Sequence, residues 1–408
     1  MHKGGGQGMD GREQVSLKAP AVGTFMLFLL YLGFVSIGLP DAAFGVAWPS
    51  LRDAFSLPQS QFGVALAFIG AGFLVASSFA GRFLAAIGVG RLLALATTIT
   101  GIGLAGFSLA PGWPAFLAFG LLVGFGGGAI DSGLNAYAAS RLSARHMNWL
   151  HAAFGLGAGL GPFAMTAAVG LASWRFGYGA LAVVMLALAT LFVVSRGVWG
   201  TAVGHETAES EARISAGQAM RIGLVWLQIF AFFTYVGAEI SLGQWTYAIL
   251  TESRGYSIEM AGFWAGAFWL ALFAGRIVLG ALAERIGSER LLRVAVLGAF
   301  VGYLLFAVDP AGLGPAGLVI AGFMLAPIFP LMMHRTPRML GMAAPHAIGF
   351  QVSAAMLGGI VTPAVAGIIA DNAGLAAIPY FLLGVVVING ILIMLCLNMP
   401  PWRAGYED

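Results

Sequence analysis

Long apolar runs alternate with short polar or glycine- and proline-containing breaks from about residue 21 to residue 398, and nowhere does a strand-like alternation take over. A run of about 20 apolar residues is what an α-helix needs to cross a hydrocarbon core about 30 Å thick. Twelve such runs are predicted. They lie near 21–49, 61–81, 91–110, 113–139, 149–172 and 177–195 in the first half, and near 222–249, 259–280, 291–308, 314–333, 347–370 and 376–398 in the second. The run from about Val22 is too long for a cleaved signal core and is followed by further runs, so it reads as the first membrane helix. The preceding 18 residues, with Gly4 to Gly6 and Gly8, read as a flexible segment in which Met9 is an alternative start.

Arginine and lysine orient the chain. A cytoplasmic N-terminus puts Lys3, Arg12, Lys18, Arg82, Arg91, Arg141, Arg145, Arg196, Arg213, Arg221, Arg276, Arg285, Arg290, Arg293, Arg335, Arg338 and Arg403 inside and leaves only Arg52, Arg175 and Arg254 outside. That 17-to-3 bias predicts both termini in the cytoplasm of a multi-pass cell-membrane protein, as in a bacterial inner membrane. One missed helix would invert every later loop. The longest polar interval, with His205, Glu206, Glu209, Glu211 and Arg213, predicts this organisation: a cytoplasmic N-terminus 1–19, a six-helix bundle 20–195, a cytoplasmic linker 196–221, a second six-helix bundle 222–398 and a cytoplasmic tail 399–408.

The halves repeat. Residues 81–93 align without gaps on 280–292, matching Gly81 with Gly280, Ile87 with Ile286, Gly88 with Gly287 and Arg91 with Arg290. Nearly the same shift brings Asp41 onto Glu239, each with a glycine four residues later (Gly45, Gly243) and a tryptophan soon after (Trp48, Trp245). Two matches at one shift predict duplicated, pseudo-symmetric bundles.

Composition narrows the function. The chain is 59% hydrophobic and 9% charged, against about 25% charged in soluble domains. Its net charge of +3 rests on few groups and speaks to loop orientation, not to nucleic acid. Cys396 is the single cysteine, which excludes an internal disulfide and a cysteine metal cluster. No metal and no cofactor are expected, and the absence of a Gly-x-x-x-x-Gly-Lys loop argues against ATP-driven transport. The expected partners are a small-molecule substrate and the lipid bilayer, with the chain acting as a monomer.

Twelve runs in two sets of six, a central polar linker and a Gly-x-x-x-x-x-x-Gly-x-x-Arg loop after the second and eighth runs resemble the major facilitator superfamily. That loop comprises Gly81, Arg82, Gly88 and Arg91 in one copy and Gly280, Glu284, Arg285, Gly287 and Arg290 in the other. The family's aspartate four residues after the first glycine is replaced by Ala85 and Glu284, a departure that touches the first loop's charge relay as a gate. An acid in the first run, Asp131 with Asn135 in the fourth and Ala326-Pro327-Ile328-Phe329-Pro330 in the tenth look most like the fucose permease group of proton-coupled sugar symporters. The resemblance implies an all-α membrane protein of about twelve helices, with the first, fourth, seventh and tenth spans around a central cavity.

Three acids, Asp41, Asp131 and Glu239, lie well inside spans. A carboxylate at membrane depth is costly as an anion, stays neutral by keeping a proton and ionises when water reaches it, which suits it to carry protons. Asp41 lies toward the outer side and Asp131, in the glycine-rich segment 126–135, toward the inner, so they differ in depth by roughly 10 to 15 Å. Asn135 shares a helical face with Asp131. In the seventh run Gln228, Tyr235 and Glu239 form one polar stripe, followed by Gln244 and Trp245; these, with His151 and Gln351, are the hydrogen-bonding and stacking groups expected to grip a neutral polyol.

Each has a plainer reading: His151 as an interfacial histidine near Arg145 and Trp149, Gln351 as a helix-packing amide, and Trp264, Phe268 and Trp269 as packing or lipid-facing residues. No lysine or arginine is expected mid-span, which argues against a strongly anionic substrate. The expected activity is proton-coupled symport of a neutral small solute such as a monosaccharide, with sodium as an alternative coupling ion. Gly157-x-x-x-Gly161-Pro162 admits two readings: it serves close helix packing, or it resembles the fifth-span signature of drug/proton antiporters, so export of amphiphilic compounds is the alternative. Ser132-Gly133 with His151 lacks the Gly-x-Ser-Gly of rhomboid proteases, and no enzyme is expected. Substrate flux separates a carrier from a non-transporting receptor or scaffold.

Overall fold

The computed structural model describes residues 23–142, 144–199 and 214–402. The expected N-terminal segment 1–19, the linker residues His205, Glu206, Glu209, Glu211 and Arg213, and Arg403 in the tail lie outside the described residues. Helices account for the architecture, with no strand among the described residues. In lipid this is the economical solution, because a helix satisfies its backbone donors and acceptors within one segment.

Ten helical stretches are long and apolar enough to cross a membrane, and two of them turn back on themselves. Gln61–Leu109 has 49 residues, about 73 Å of helix, more than two crossings need. It breaks at Gly88, whose φ of 73° and ψ of 164° belong to a region open essentially to glycine alone. The stretch Gly314–Ala373 likewise breaks at Gly341, with φ 49°. One extra crossing in each gives twelve spans: α1 (Thr24–Ala54), α2 (61–87), α3 (89–109), α4 (Trp113–Arg141), α5 (Ala144–Leu171), α6 (Trp174–Val194), α7 (Gly223–Ala248), α8 (Ile258–Ile286), α9 (Ser288–Val308), α10 in two pieces (Gly314–Leu325 and Ile328–Leu340), α11 (Ala344–Ala373) and α12 (Ile378–Asn398). The α10 ladder is interrupted because Pro327 and Pro330 each remove a backbone donor.

The packing repeats as the sequence does. In the first half α1 lies on α5, α2 and α3 on α4, and α3 on α6; in the second α7 lies on α11, α8 and α9 on α10, and α9 on α12. The halves meet along α5–α8, α2–α11 and α1–α7, a set that maps onto itself when the halves are exchanged. Odd-numbered spans run from the proximal face, where α1 begins, to the distal face, and even-numbered spans return.

Glycine sets the distances. A Cβ on Gly157 or Gly161 would lie 2.1 Å from the Val35 carbonyl oxygen or 2.3 Å from that of Leu39, both on α1. On the opposite side of α5, Gly155 and Gly159 face Phe273 and Leu270 of α8. The glycine-rich 155–162 segment therefore has a complete account as a two-sided packing surface, in a solvent where helices associate through close approach.

Candidate substrate cavity

The fourth span shows how a charged residue comes to face a cavity. Gly124 and Gly128 press α4 against α2, where an added Cβ would lie 1.8 Å from the Ile69 carbonyl oxygen and 2.5 Å from that of Phe73. Gly126 presses it against α3, 2.1 Å from Thr100 Oγ1 by the same measure. With those faces committed to neighbours, Gly127, Ile130 and Asp131 turn to the remaining side and line a cavity of about 380 Å³ between the halves.

The cavity belongs mostly to the first half. The second half supplies only Val236, Ile240, Gln244, Met356, Gly359 and Ile360 to its wall. Asp41 and Asp131 are the charged lining groups among the described residues, with Ser36, Thr100, Tyr178 and Gln244 as polar ones and Phe44, Phe73, Phe107 and Phe154 as aromatic ones. Two of the hydroxyls are already committed: Ser36 Oγ donates to Gly33 O at 2.6 Å and Thr100 Oγ1 to Ala96 O at 3.1 Å. Asn135 Nδ2 donates to Asp131 Oδ1 at 3.1 Å, so Asn135 holds the carboxylate from behind without itself lining the cavity. Gln244 Nε2 donates across the halves to the Asp41 carbonyl oxygen at 3.0 Å.

The other polar residues of the second half lie elsewhere. Gln351 Nε2 donates to Gln228 Oε1 at 2.6 Å and approaches Thr336 Oγ1 at 3.0 Å, a buried network closed on itself. Tyr235 donates its hydroxyl proton to Glu239, and Arg276 of α8 stands 3.7 Å from the same carboxylate. Trp245 is buried against Phe62, ring centroids 4.8 Å apart, and donates to Pro363 O at 3.2 Å. His151 packs edge-on against Phe34 at 5.5 Å, and its carbonyl oxygen accepts from Arg276 at 3.1 Å. None of Gln228, Tyr235, Glu239, Trp245, Gln351 or His151 lines the cavity. The expectation of no mid-span cation needs correcting too. Arg276 sits well inside α8, partly buried, because Glu239 and the His151 carbonyl receive its guanidinium.

At the distal face the halves are tied by charge. Arg52 Nη1 meets Glu252 Oε2 at 2.8 Å, and the Asp371 carboxylate accepts from the backbone N–H groups of Gln59 at 2.6 Å and Ser60 at 3.0 Å. These donors sit at the start of α2, where an anion is favoured by both the free N–H groups and the helix dipole.

A family model described as Major Facilitator Superfamily matches residues 30–343. The chain belongs to that superfamily. It is a transporter and not an enzyme. Among solved structures, an inward-facing, occupied bacterial homolog of the human lysosomal transporter Spinster superposes over 93% of this chain and 98% of that one, with TM-score 0.75 and 13% identity. A D-xylose-proton symporter covers 94% and 99% with TM-score 0.74 and 16% identity, and the E. coli fucose:proton symporter 90% and 98% with TM-score 0.61 and 17% identity. At such identities the likeness is one of fold. Of curated relatives, bypass of stop codon protein 6 of Saccharomyces cerevisiae is 26% identical over 43% of this chain and 38% of its own length. The glucose/galactose transporter of Brucella abortus is 26% identical over 49% and 48%. The chain thus spans about half or less of the length of these two curated relatives.

As a major facilitator protein the chain carries the repeated loop with one conspicuous regularity: Gly88 and Gly287, matched in the repeat, both take positive φ, at 73° and 87°. Among the described residues Arg82, Arg91, Glu284, Arg285 and Arg290 form no ion pair, while Gly81 and Gly280 have open space where a Cβ would stand. Tyr178 and the four phenylalanines were not among the expected site residues. The one available signal was the Gly177-Tyr178-Gly179 triplet, where a large polar ring sits between two glycines in close contact with Met165 and Ser108.

Proposed function

We propose that this major facilitator protein is a proton-coupled symporter that takes up a neutral small solute, with a monosaccharide as the leading class, by alternating access between its halves. The observation that carries this reading is a cavity between the halves whose charged lining is two carboxylates, Asp41 and Asp131, with no cation in the wall among the described residues. Two acids without a basic partner suit protons and neutral solutes and disfavour anions. Asp41 and Asp131 carry the proton, Asn135 steadies Asp131, and Gln244 and Tyr178 meet the solute. Glu239, engaged by Tyr235 and Arg276, has a positioning role in the second half. Similarity to the Brucella glucose/galactose transporter supports the sugar class. The arginine and lysine bias supports a proximal face in the cytoplasm of a bacterial inner membrane, and the chain works as a monomer.

A second reading has its own observation. Phe44, Phe73, Phe107 and Phe154 give the wall a largely apolar character, which suits an amphiphilic compound exported in exchange for protons. Counterflow in proteoliposomes across a panel of sugars and hydrophobic cations, under separate proton and sodium gradients, decides between them. Sugar exchange with accumulation driven by the proton gradient is expected. Exchange of hydrophobic cations but no sugar would replace the first reading by the second, and accumulation driven by sodium alone would reassign the Asp131–Asn135 pair to a cation.

A further inference from the structure

Tyr235 on α7 has one hydroxyl proton and two acceptors within reach of it. Its Oη lies against Glu239 Oε2, one turn along the same helix, and 3.0 Å from the Leu325 carbonyl oxygen of α10. A phenol donates a single hydrogen bond, so with an ionised carboxylate only one of the two acceptors is served at a time. The arrangement is short of one proton. Both contacts become hydrogen bonds when Glu239 carries it: the carboxyl O–H donates to Tyr235 Oη, and Tyr235 donates onward to the Leu325 carbonyl.

Each end of this relay touches something that can move. Leu325 closes the distal piece of α10, two residues before Pro327, and the proximal piece begins at Ile328. Pro327 and Pro330 deprive the Phe323 and Ala326 carbonyls of their helical donors, so the backbone is weakly held here and a hydrogen bond to Leu325 tightens it. The other end is Arg276. Its Nη2 stands 3.7 Å from Glu239 Oε1, while its Nη1 donates at 3.1 Å to the His151 carbonyl oxygen of α5 in the opposite half. An ionised Glu239 shares Arg276 with the α5–α8 seam, and a neutral one leaves Arg276 to the seam alone. Among the described residues, the charged or titratable side chains that face Glu239 are Tyr235 from its own helix, Arg276 from α8 and Tyr303 from α9; α10 brings the Leu325 carbonyl, and α1, α11 and α12 bring none. Tyr303 Oη has no hydrogen-bond partner among them and stands outside the relay. The side chain of Arg276 is 19% exposed and that of Glu239 7%, so the pair is not sealed from a proton.

We infer that Glu239, Tyr235 and the Leu325 carbonyl form a proton-operated switch on the α10 break. With Glu239 ionised, Tyr235 turns to the carboxylate and releases Leu325; with Glu239 protonated, the phenol holds α10. This proton is a regulatory one, separate from those that Asp41 and Asp131 carry with the solute. It sets how freely α10 bends.

The test needs no solute. Amide hydrogen exchange over residues 324–333 is followed in purified wild type, Glu239→Gln and Tyr235→Phe at several pH values between about 5 and 9, after correction for the intrinsic pH dependence of exchange. In wild type the corrected rate rises about two- to tenfold as Glu239 ionises, the worth of one hydrogen bond. The two variants move in opposite directions. Glu239→Gln keeps a donor for Tyr235 Oη at every pH and holds α10 in the slow form, whereas Tyr235→Phe keeps the ring, leaves Leu325 unserved and exchanges fast throughout. Infrared difference spectra between the same pH limits show a protonated-carboxyl band in wild type that Glu239→Gln lacks. A wild-type rate that stays level, a pH step that survives in either variant, or a carboxyl band unchanged in Glu239→Gln overturns the inference. Wild type and Glu239→Gln carry the test alone if Tyr235→Phe does not fold.

Discussion

The two halves share a helix plan but spend their buried polar groups differently. In the first half, Asp41 and Asp131 line the cavity, and among the described residues Asp131 has only the Asn135 amide at its back. In the second, Glu239 is met by Tyr235 and Arg276, and Gln228, Gln351 and Thr336 satisfy one another. Asn389 likewise donates to the Ala231 carbonyl oxygen at 2.8 Å. The first half keeps Asp41 and Asp131 facing the cavity, whereas the second uses Glu239, Gln228 and Gln351 to hold helices together and lends the cavity wall one polar side chain, Gln244. A buried acid in a membrane protein is therefore informative only once its partners are known.

The sharpest way to break this contrast is to neutralise acids on both sides of it. Asp41→Asn and Asp131→Asn are expected to abolish accumulation driven by a pH gradient, a loss of at least about tenfold, while counterflow at equal pH survives. Normal accumulation in both variants would end the assignment. Glu239→Gln should do the reverse, lowering thermal stability by several degrees, because Arg276 loses its charge partner, yet leaving pH-driven accumulation in place. Loss of coupling in that variant would place Glu239 with the other two acids.

A smaller effect is expected from Gln351→Leu, which strands the Gln228 amide. It costs about 1 to 3 kcal/mol of stability by chemical or thermal unfolding in detergent, with transport per folded molecule unchanged. The mildest change is Asp371→Asn at the distal face. The start of α2 keeps a hydrogen-bond acceptor but loses the charge term, so transport rate should shift by about twofold or less, and less still at high salt. An effect on substrate affinity greater than on rate would mean that Asp371 is tied to the cavity and not to closure.

The fold was largely legible. Span existence and the repeat of Gly88 with Gly287 follow from apolar run length and a shared backbone need. The cavity was legible only where a polar residue stood against an apolar background, as with Asp41, Asp131 and Gln244. Phe44 and Phe107 were not, since an aromatic side chain in a membrane helix has the same sequence signature whether it meets lipid, a neighbour or a solute. Pairing across helices was hidden as well. Nothing in the spacing of Glu239 and Arg276 reveals that they meet, so the sequence groups Glu239 with Asp41 and Asp131 as a proton-carrying acid.

The fifth helix repays a mechanical reading. Toward α1 its glycines rest on backbone, Gly157 and Gly161 on the carbonyls of Val35 and Leu39, with Gly38 returning the contact against Phe154 and Ala158 main chain. Toward α8 three glycines have side chains as their nearest contacts, Gly159 on Leu270, Gly262 on Thr166 and Gly266 on Phe163, while Gly155 meets Phe273 at its Cβ and backbone. Backbone against backbone has no soft coordinate, whereas side chains yield by turning about their own bonds. The helix is thus welded on one side and journalled on the other. A rocking motion of the halves would find its bearing along α5 and α8, and its lubricant in the rotatable side chains of Leu270, Thr166 and Phe163.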